Sequence, residues 1–390
     1  MDRAASTPPP SLRELATLFL RLGATAFGGP AAHIAIFREE IVRRRGWLTE
    51  QRYLDLLGAA NLLPGPTSTE VAIGIGRELG GLRGMTLTGT LFILPAALAV
   101  LLFAIAYDRL GSQPAMRWLL YGLQPVVVVI VLRALAGLAP TGLATAAARV
   151  IGVVALVAGL LGVHPLLVLA LAAVAMLAAR GLAGGAGLAA FVTLERLPGA
   201  AAVAGLTGAA ATIGLPALFL TFLGIGALTF GSGYLLLAFL QQAFVDTGLL
   251  SNQVLLDAVA VGQVTPGPLF TTATFIGYQL AGLPGAVVAT LGIFLPSFVM
   301  VALLHPLLPR WRASMRLAAL LDGVNAAALG LIGAVAVELG RAALVDAWSV
   351  AIALAAAVLL WSRRAGPTVV LLAGGAAGLV IGALGLVPGS

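Results

Sequence analysis

Two short runs hold most of the side chains that could do chemistry in this chain. One is Pro64-Gly65-Pro66-Thr67-Ser68-Thr69-Glu70: two prolines about a glycine, three hydroxyls and a carboxylate. The other is Phe27-Gly28-Gly29-Pro30, with His33 close behind. Proline removes a backbone donor and glycine permits turns closed to other residues, so both runs break a helix. A helix restarting after Pro66 begins with N–H groups that have no acceptor within it. Those donors, with the positive end of the helix dipole, suit an anion, a tetrahedral oxyanion above all. Thr67, Ser68 and Thr69 add hydroxyl donors. Arg21, six residues ahead of the FGGP break, offers paired guanidinium donors that can clamp an oxyanion, or a charge that snorkels to the membrane surface. Glu70 either caps the new helix or carries a proton coupled to movement of the solute. His33 titrates near neutrality when unperturbed and is read either as part of that coupling or as structural.

These residues sit in an apolar chain. Of 390 residues, 60% are hydrophobic and 9% are charged, with mean hydropathy +1.07, whereas soluble domains carry about 25% charge. Runs such as 91–107 and 150–177 are long enough to enter a hydrocarbon core about 30 Å thick. The chain therefore reads as an all-α polytopic membrane protein with the lipid bilayer as its main partner. Its net charge of +7 comes from 22 basic residues, every one arginine, placed mostly at the ends of apolar segments. That is the pattern of topology signals and not of a nucleic-acid surface. No cysteine is present, which removes disulfides, thiolate metal sites and cysteine nucleophiles.

The sequence is written twice. FLRLGATAFGGP (19–30) aligns with FLGIGALTFGSG (222–233), LLPGP (62–66) with VTPGP (264–268), IGRELGGLRG (75–84) with IGYQLAGLPG (276–285), and FILP (92–95) with IFLP (293–296). The expected organisation is a disordered tail over 1–11, a first repeat over 12–180, a Gly/Ala-rich linker over 181–215 and a second repeat over 216–386. Nine arginines lie within 13–83 and none within the aligned 216–286, whereas the second copy carries Arg310, Arg312, Arg316, Arg363 and Arg364 further on. Positive charge marks cytoplasmic loops, so the asymmetry implies copies of opposite orientation. Inverted repeats with interrupted helices characterise secondary transporters. Ten to twelve transmembrane helices are expected, with Gly/Pro-broken segments that are either re-entrant hairpins or helices interrupted near midplane.

Duplication doubles the candidate site. Pro266, Gly267 and Pro268 repeat the break, Thr271 and Thr272 repeat the hydroxyls, and Gly231 stands in the counterpart of the FGGP turn. Asn61 and Gln263 are aligned amides placed to bond freed backbone or to touch solute. Asp55 and Asp257 are aligned acids that read as helix-end or inter-repeat contacts. Small residues also serve helix packing, which is the competing reading of each break taken singly. Because unpaired backbone in hydrocarbon is tolerated only in protein or at a wet cavity, the paired breaks point to a solute site. Motifs for zinc proteases, nucleotide-binding loops and serine hydrolases are absent, so no catalytic residue, metal or cofactor is expected and an ion gradient is the default energy source.

The first repeat resembles the N-terminal signature of the chromate ion transporter family. The resemblance rests on Phe27 to Pro30, Ala32-His33, Glu40, Arg43 to Arg45, Trp47, and Leu63-Pro64-Gly65-Pro66. TFGSGY (229–234) and TPGP (265–268) resemble the second half of its long, two-domain members. The resemblance implies an inner-membrane exporter of chromate, a tetrahedral dianion close to sulfate, driven by the proton-motive force. It leaves sulfate or another oxyanion as the rival cargo, a passive anion channel as the rival mechanism, and a homodimer as a partner state. Gly231-Ser232-Gly233 lacks the proline of the first copy.

Overall fold

The computed structural model describes residues 10–111, 113–181, 213–230, 233–304, 314–362 and 364–386. Nearly all of the expected tail, most of the linker, Gly231, Arg310, Arg312 and Arg363 lie outside them. Among the described residues fourteen α-helices follow in order: α1 Leu12–Thr25, α2 Gly29–Arg38, α3 Glu50–Ala60, α4 Thr67–Leu110, α5 Pro114–Gly142, α6 Ala146–Leu160, α7 Pro165–Ala179, α8 Leu215–Leu228, α9 Leu235–Leu240, α10 Asn252–Val264, α11 Thr272–Leu304, α12 Met315–Ala343, α13 Ala347–Trp361 and α14 Pro367–Ala383. No strand occurs among the described residues. Among the described residues four helical stretches are long and apolar enough to span a bilayer, and six apolar helices are shorter, of 10–17 residues.

The helices form two compact units that cut across the sequence repeats. One unit holds 1–103, 218–233 and 265–311; the other holds 104–217, 234–264 and 312–390. Each unit thus takes pieces from both copies.

In the first unit, α1 and α2 form a hairpin about the FGGP break. Arg21 meets Glu40 at 2.9 Å, and the Phe19 and Phe37 rings lie 5.7 Å apart. Ser11 starts α1 with a capping box to Glu14, satisfying donors at the first turn. The chain makes a second hairpin about PGP. Arg52 near the start of α3 holds Glu78 near the end of the first arm of α4 through two bonds of 2.8 Å. Leu56 packs toward Gly74 between those ends. Residues 50–79 therefore form a hairpin whose two ends meet. Twelve residues separate Pro66 from Glu78, so the break lies about 18 Å from the charged end.

Helix α4 cannot be straight, because 44 residues would span about 66 Å. It reverses at Gly80–Gly81, where Gly81 has φ +60, a conformation open to glycine at little cost. The Thr88 hydroxyl consequently donates to the Ala72 carbonyl at 2.9 Å, sixteen residues away. The second copy repeats the bend at Ala281–Gly282, with Thr274 and Thr290 hydroxyls 2.7 Å apart. Gly89 on the second arm of α4 packs against Phe298 on the second arm of α11, and Met85 shares a core cluster with Val301. Residue numbers rise along one arm as they fall along the other. These equivalent arms run antiparallel, the direction that oppositely oriented copies require.

The second unit is a bundle in which each copy packs against the other. Helix α5 lies on α14 and α13, and α12 lies on α6 and α7. Glycines let the backbones touch: Gly122 meets Gly374, Gly330 meets Gly152, and Gly323 meets Ala172. Small residues at such crossings replace the hydrophobic drive that lipid cannot supply. Asp257 on α10 is buried and accepts hydrogen bonds from Gln124 at 2.7 Å and Tyr107 at 3.1 Å. It ties the second copy to the first.

A candidate site at two crossed backbone breaks

The Gly65 N–H donates to the Thr229 carbonyl at 2.7 Å, and the Gly267 N–H donates to the Ala26 carbonyl at 2.9 Å. Thr229 and Ala26 are equivalent positions at the ends of α8 and α1, as Gly65 and Gly267 are equivalent within the two PGP runs. Each break in one copy is thus bonded to the first helix of the other, in a reciprocal exchange. Both glycines have positive φ, +139 and +90, and both are tightly enclosed. A Cβ on Gly65 would lie 2.5 Å from Glu70 Oε1 and 2.6 Å from Ser297 Oγ; one on Gly267 would lie 2.6 Å from Ala96 Cβ.

Helix α4 starts directly after this crossing. The Pro66 carbonyl accepts from the Glu70 N–H at 3.0 Å, which makes Thr67, Ser68 and Thr69 the first helical turn. Their amides lie ahead of the first internal bond of the helix. Pro64, Gly65, Pro66, Thr67, Ser68, Thr69 and Glu70 are all buried. Thr69 Oγ1, both oxygens of Glu70 and Ser297 Oγ are buried without a hydrogen-bond partner. A small void of about 10 Å³ adjoins Glu70 between Leu56, Leu63 and Val301. That is space for about one water. Burying a bare carboxylate is costly, so a proton or a donor must accompany Glu70 when this site is closed.

His33 joins the same crossing. Its Nε2 lies 3.0 Å from the Ala26 carbonyl that also receives Gly267, while Nδ1 is buried and unpartnered. Its ring meets Phe92 edge-on and stacks near Phe37. Gly28 and Gly29, with φ +105 and +77, turn the chain ahead of Pro30, which opens α2.

The structure does not gather every candidate here. Arg21 is half-exposed and bound to Glu40, which also accepts from Arg44 at 3.1 Å and Arg45 at 2.8 Å. Asn61 is exposed at the end of α3. Gln263 belongs to the second unit, where its Nε2 contacts the Tyr234 hydroxyl at 3.3 Å. In the second break, Thr271 donates to the Pro268 carbonyl at 2.8 Å and Thr272 to the Leu269 carbonyl at 2.7 Å. Those two hydroxyls spend their protons on their own backbone, so among the described residues the unpartnered hydroxyls beside the crossing are Thr69 of the first copy and Ser297 of the second. Ser297 went unread in the sequence. It replaces Ala96 of the first copy just after the aligned prolines Pro95 and Pro296, and that swap from apolar to polar was the available signal.

A duplicated multi-pass α-helical protein, with broken helices crossing between its copies over buried unpaired polar groups, has the construction of a membrane transporter. A family model for the chromate transporter matches residues 13–177 and 216–379. The chain belongs to the chromate transporter family. It is 32% identical over 364 residues to the chromate transport protein of Cupriavidus metallidurans, covering 91% of this chain and 89% of that one. To the chromate transport protein of Pseudomonas aeruginosa it is 32% identical over 397 residues, covering 97% and 94%. An uncharacterized transporter of Methanocaldococcus jannaschii is 27% identical over 360 residues, covering 90% and 89%. No solved structure matches the chain.

Proposed function

We propose that this chain exports chromate from the cytoplasm across the inner, or plasma, membrane, using the proton-motive force. The observation that carries the reading is the crossing of Gly65 and Gly267 with Thr229 and Ala26, beside the first turn of α4. In this reading the amides and hydroxyls of Thr67, Ser68 and Thr69 bind the oxyanion, with the second break at Pro266 to Pro268 shaping the opposite wall. The two oppositely oriented repeats, 12–180 and 216–386, each supply one break to the crossing, which is exposed alternately to the two sides.

Electrostatics divides the work between potential and proton. An inside-negative potential of 100 mV drives a dianion outward by about 4.6 kcal/mol, twice the single-charge value. Glu70 then has a gating role. Ionised, it repels the dianion; protonated, it admits it and becomes a donor. A continuous passive channel would gain nothing from such a buried acid.

The test is accumulation of radiolabelled chromate by inverted vesicles under an imposed gradient, with and without excess sulfate. Glu70→Gln and Arg21→Ala run in parallel; the second asks whether the guanidinium held by Glu40 is released to the anion during turnover. Gradient-dependent chromate uptake supports the reading. Sulfate movement without chromate movement keeps the architecture and changes the cargo, and uptake that follows the potential but is indifferent to the pH gradient favours a channel.

A further inference from the structure

Arg133 is a basic residue that the crossing leaves unexplained. It follows the apolar run Val126 to Leu132 on α5, two positions after Val131, which is completely buried. Its Nη1 is itself buried and has no hydrogen-bond partner. Arg133 as a whole is only partly buried, yet this nitrogen is turned away from the surface, where a snorkelling side chain would place it. No acidic side chain among the described residues forms an ion pair with it. Neither is it a repeat feature, since the aligned stretch of the second copy is apolar. An ionisable group inside a membrane segment is retained for what it binds.

Its neighbours share that chemistry. The Tyr234 hydroxyl receives the Gln263 amide at 3.3 Å. In the sequence Tyr234 directly follows Gly231-Ser232-Gly233, and Gln263 sits two residues ahead of TPGP. Helix α10, which carries Gln263, packs on α5. The second unit thus sets the helix of Arg133 against the helix that carries the Gln263 amide and its Tyr234 partner, with one guanidinium nitrogen left without an acceptor.

We infer that Arg133, Tyr234 and Gln263 form an oxyanion subsite in the second unit, with Arg133 as its charged ligand. This rests on the reading of the cargo as an oxyanion. Guanidinium geometry suits paired oxygens of a tetrahedral dianion, and an ammonium at the same place would bind it as a point charge only.

The experiment is chromate uptake by inverted vesicles over a concentration series, for wild type, Arg133→Gln, Arg133→Lys and the exposed control Arg149→Gln, with sulfate as competitor. Each variant is first checked for a monodisperse size-exclusion peak. Arg133→Gln should raise the half-saturating concentration roughly 10- to 100-fold with the maximal rate largely kept, as loss of a charged hydrogen-bond partner does. Arg133→Lys should fall between, and Arg149→Gln should match wild type. An unchanged half-saturation in Arg133→Gln, or a lower maximal rate alone, overturns the assignment while leaving the oxyanion reading intact. Wild-type vesicles that move neither chromate nor sulfate overturn both.

Discussion

Replacing Gly65 by alanine should be one of the most damaging small changes available to this chain. Two costs add. At φ +139 an L-residue is strained, by about 1–3 kcal/mol. The new methyl also lands 2.5 Å from Glu70 Oε1 and 2.6 Å from Ser297 Oγ, and overpacking of that kind costs about 1–3 kcal/mol. Together they reach about 2–6 kcal/mol, with the Gly65–Thr229 hydrogen bond formally untouched. Gly29→Ala separates the two terms, because φ there is +77 yet nothing lies within 4 Å of the added carbon. The readout is the apparent melting temperature of detergent-solubilised protein at a fixed scan rate, since unfolding of such proteins is often irreversible. The order expected is wild type, then Gly29→Ala, then Gly65→Ala clearly lowest. Adding Ser297→Ala to Gly65→Ala removes one colliding atom and should restore part of the loss, a non-additivity that only neighbours show. Equal melting of the two single variants, or no recovery in the double, would refute the enclosed crossing.

Other expectations follow from the same geometry. Glu70→Gln should fold normally and flatten the pH dependence of chromate uptake, because the group that gates by protonation is gone; an unaltered pH profile counts against the gate. Dissipating the potential in inverted vesicles with valinomycin and potassium should lower chromate accumulation more than nigericin does, since a dianion responds chiefly to voltage. Glu40→Gln should destabilise by about 3 kcal/mol, as a carboxylate with an 8% exposed side chain holding three arginines is removed, while Arg21→Ala at the exposed end should cost no more than about 1 kcal/mol. The chain has no cysteine, so single cysteines at the aligned, exposed Leu82 and Leu283 can be labelled from either face. Oppositely oriented copies predict labelling from opposite sides, and labelling from one side would end the inverted reading.

What the sequence made legible was governed by the backbone. Pro64-Gly65-Pro66 and Pro266-Gly267-Pro268 announce breaks because proline and glycine act locally, whatever surrounds them. The bends at Gly81 and Gly282 are equally visible once the two copies are aligned. Side-chain partnerships were not legible, because they depend on which helix arrives alongside. Arg21 looked like an anion clamp until Glu40, nineteen positions on, arrived across the α1–α2 hairpin. Thr271 and Thr272 looked like solute donors, yet each turns back to a carbonyl three residues earlier. Arg133 drew no notice in the sequence because it lies far from any break, and only its buried, unpartnered nitrogen marks it out.

The distribution of these groups constrains how the duplicated fold can work. What the two copies share at the breaks is chiefly backbone: the reciprocal bonds of Gly65 and Gly267 and the glycine bends. The groups able to carry charge at the breaks are not shared. Glu70 aligns with Thr272, His33 with Leu236 and Ser297 with Ala96. A symmetric backbone lets two conformations of opposite exposure have nearly equal energy, as alternating access requires. Had Glu70 been duplicated, each break would carry its own carboxylate, and like charges on the two sides of one crossing would oppose each other's ionisation to the extent that they approach. One acid at a two-fold crossing leaves a single protonation event to bias a nearly balanced equilibrium. Placing glutamate at Thr272 should therefore slow chromate uptake and make its pH dependence steeper, whereas moving the acid, as Glu70→Thr with Thr272→Glu, should retain more transport than Glu70→Thr alone. Equal failure of the swap and the single variant would show that the asymmetry is tied to the first copy's own surroundings, His33 and Ser297 included, and not to the number of acids at the crossing.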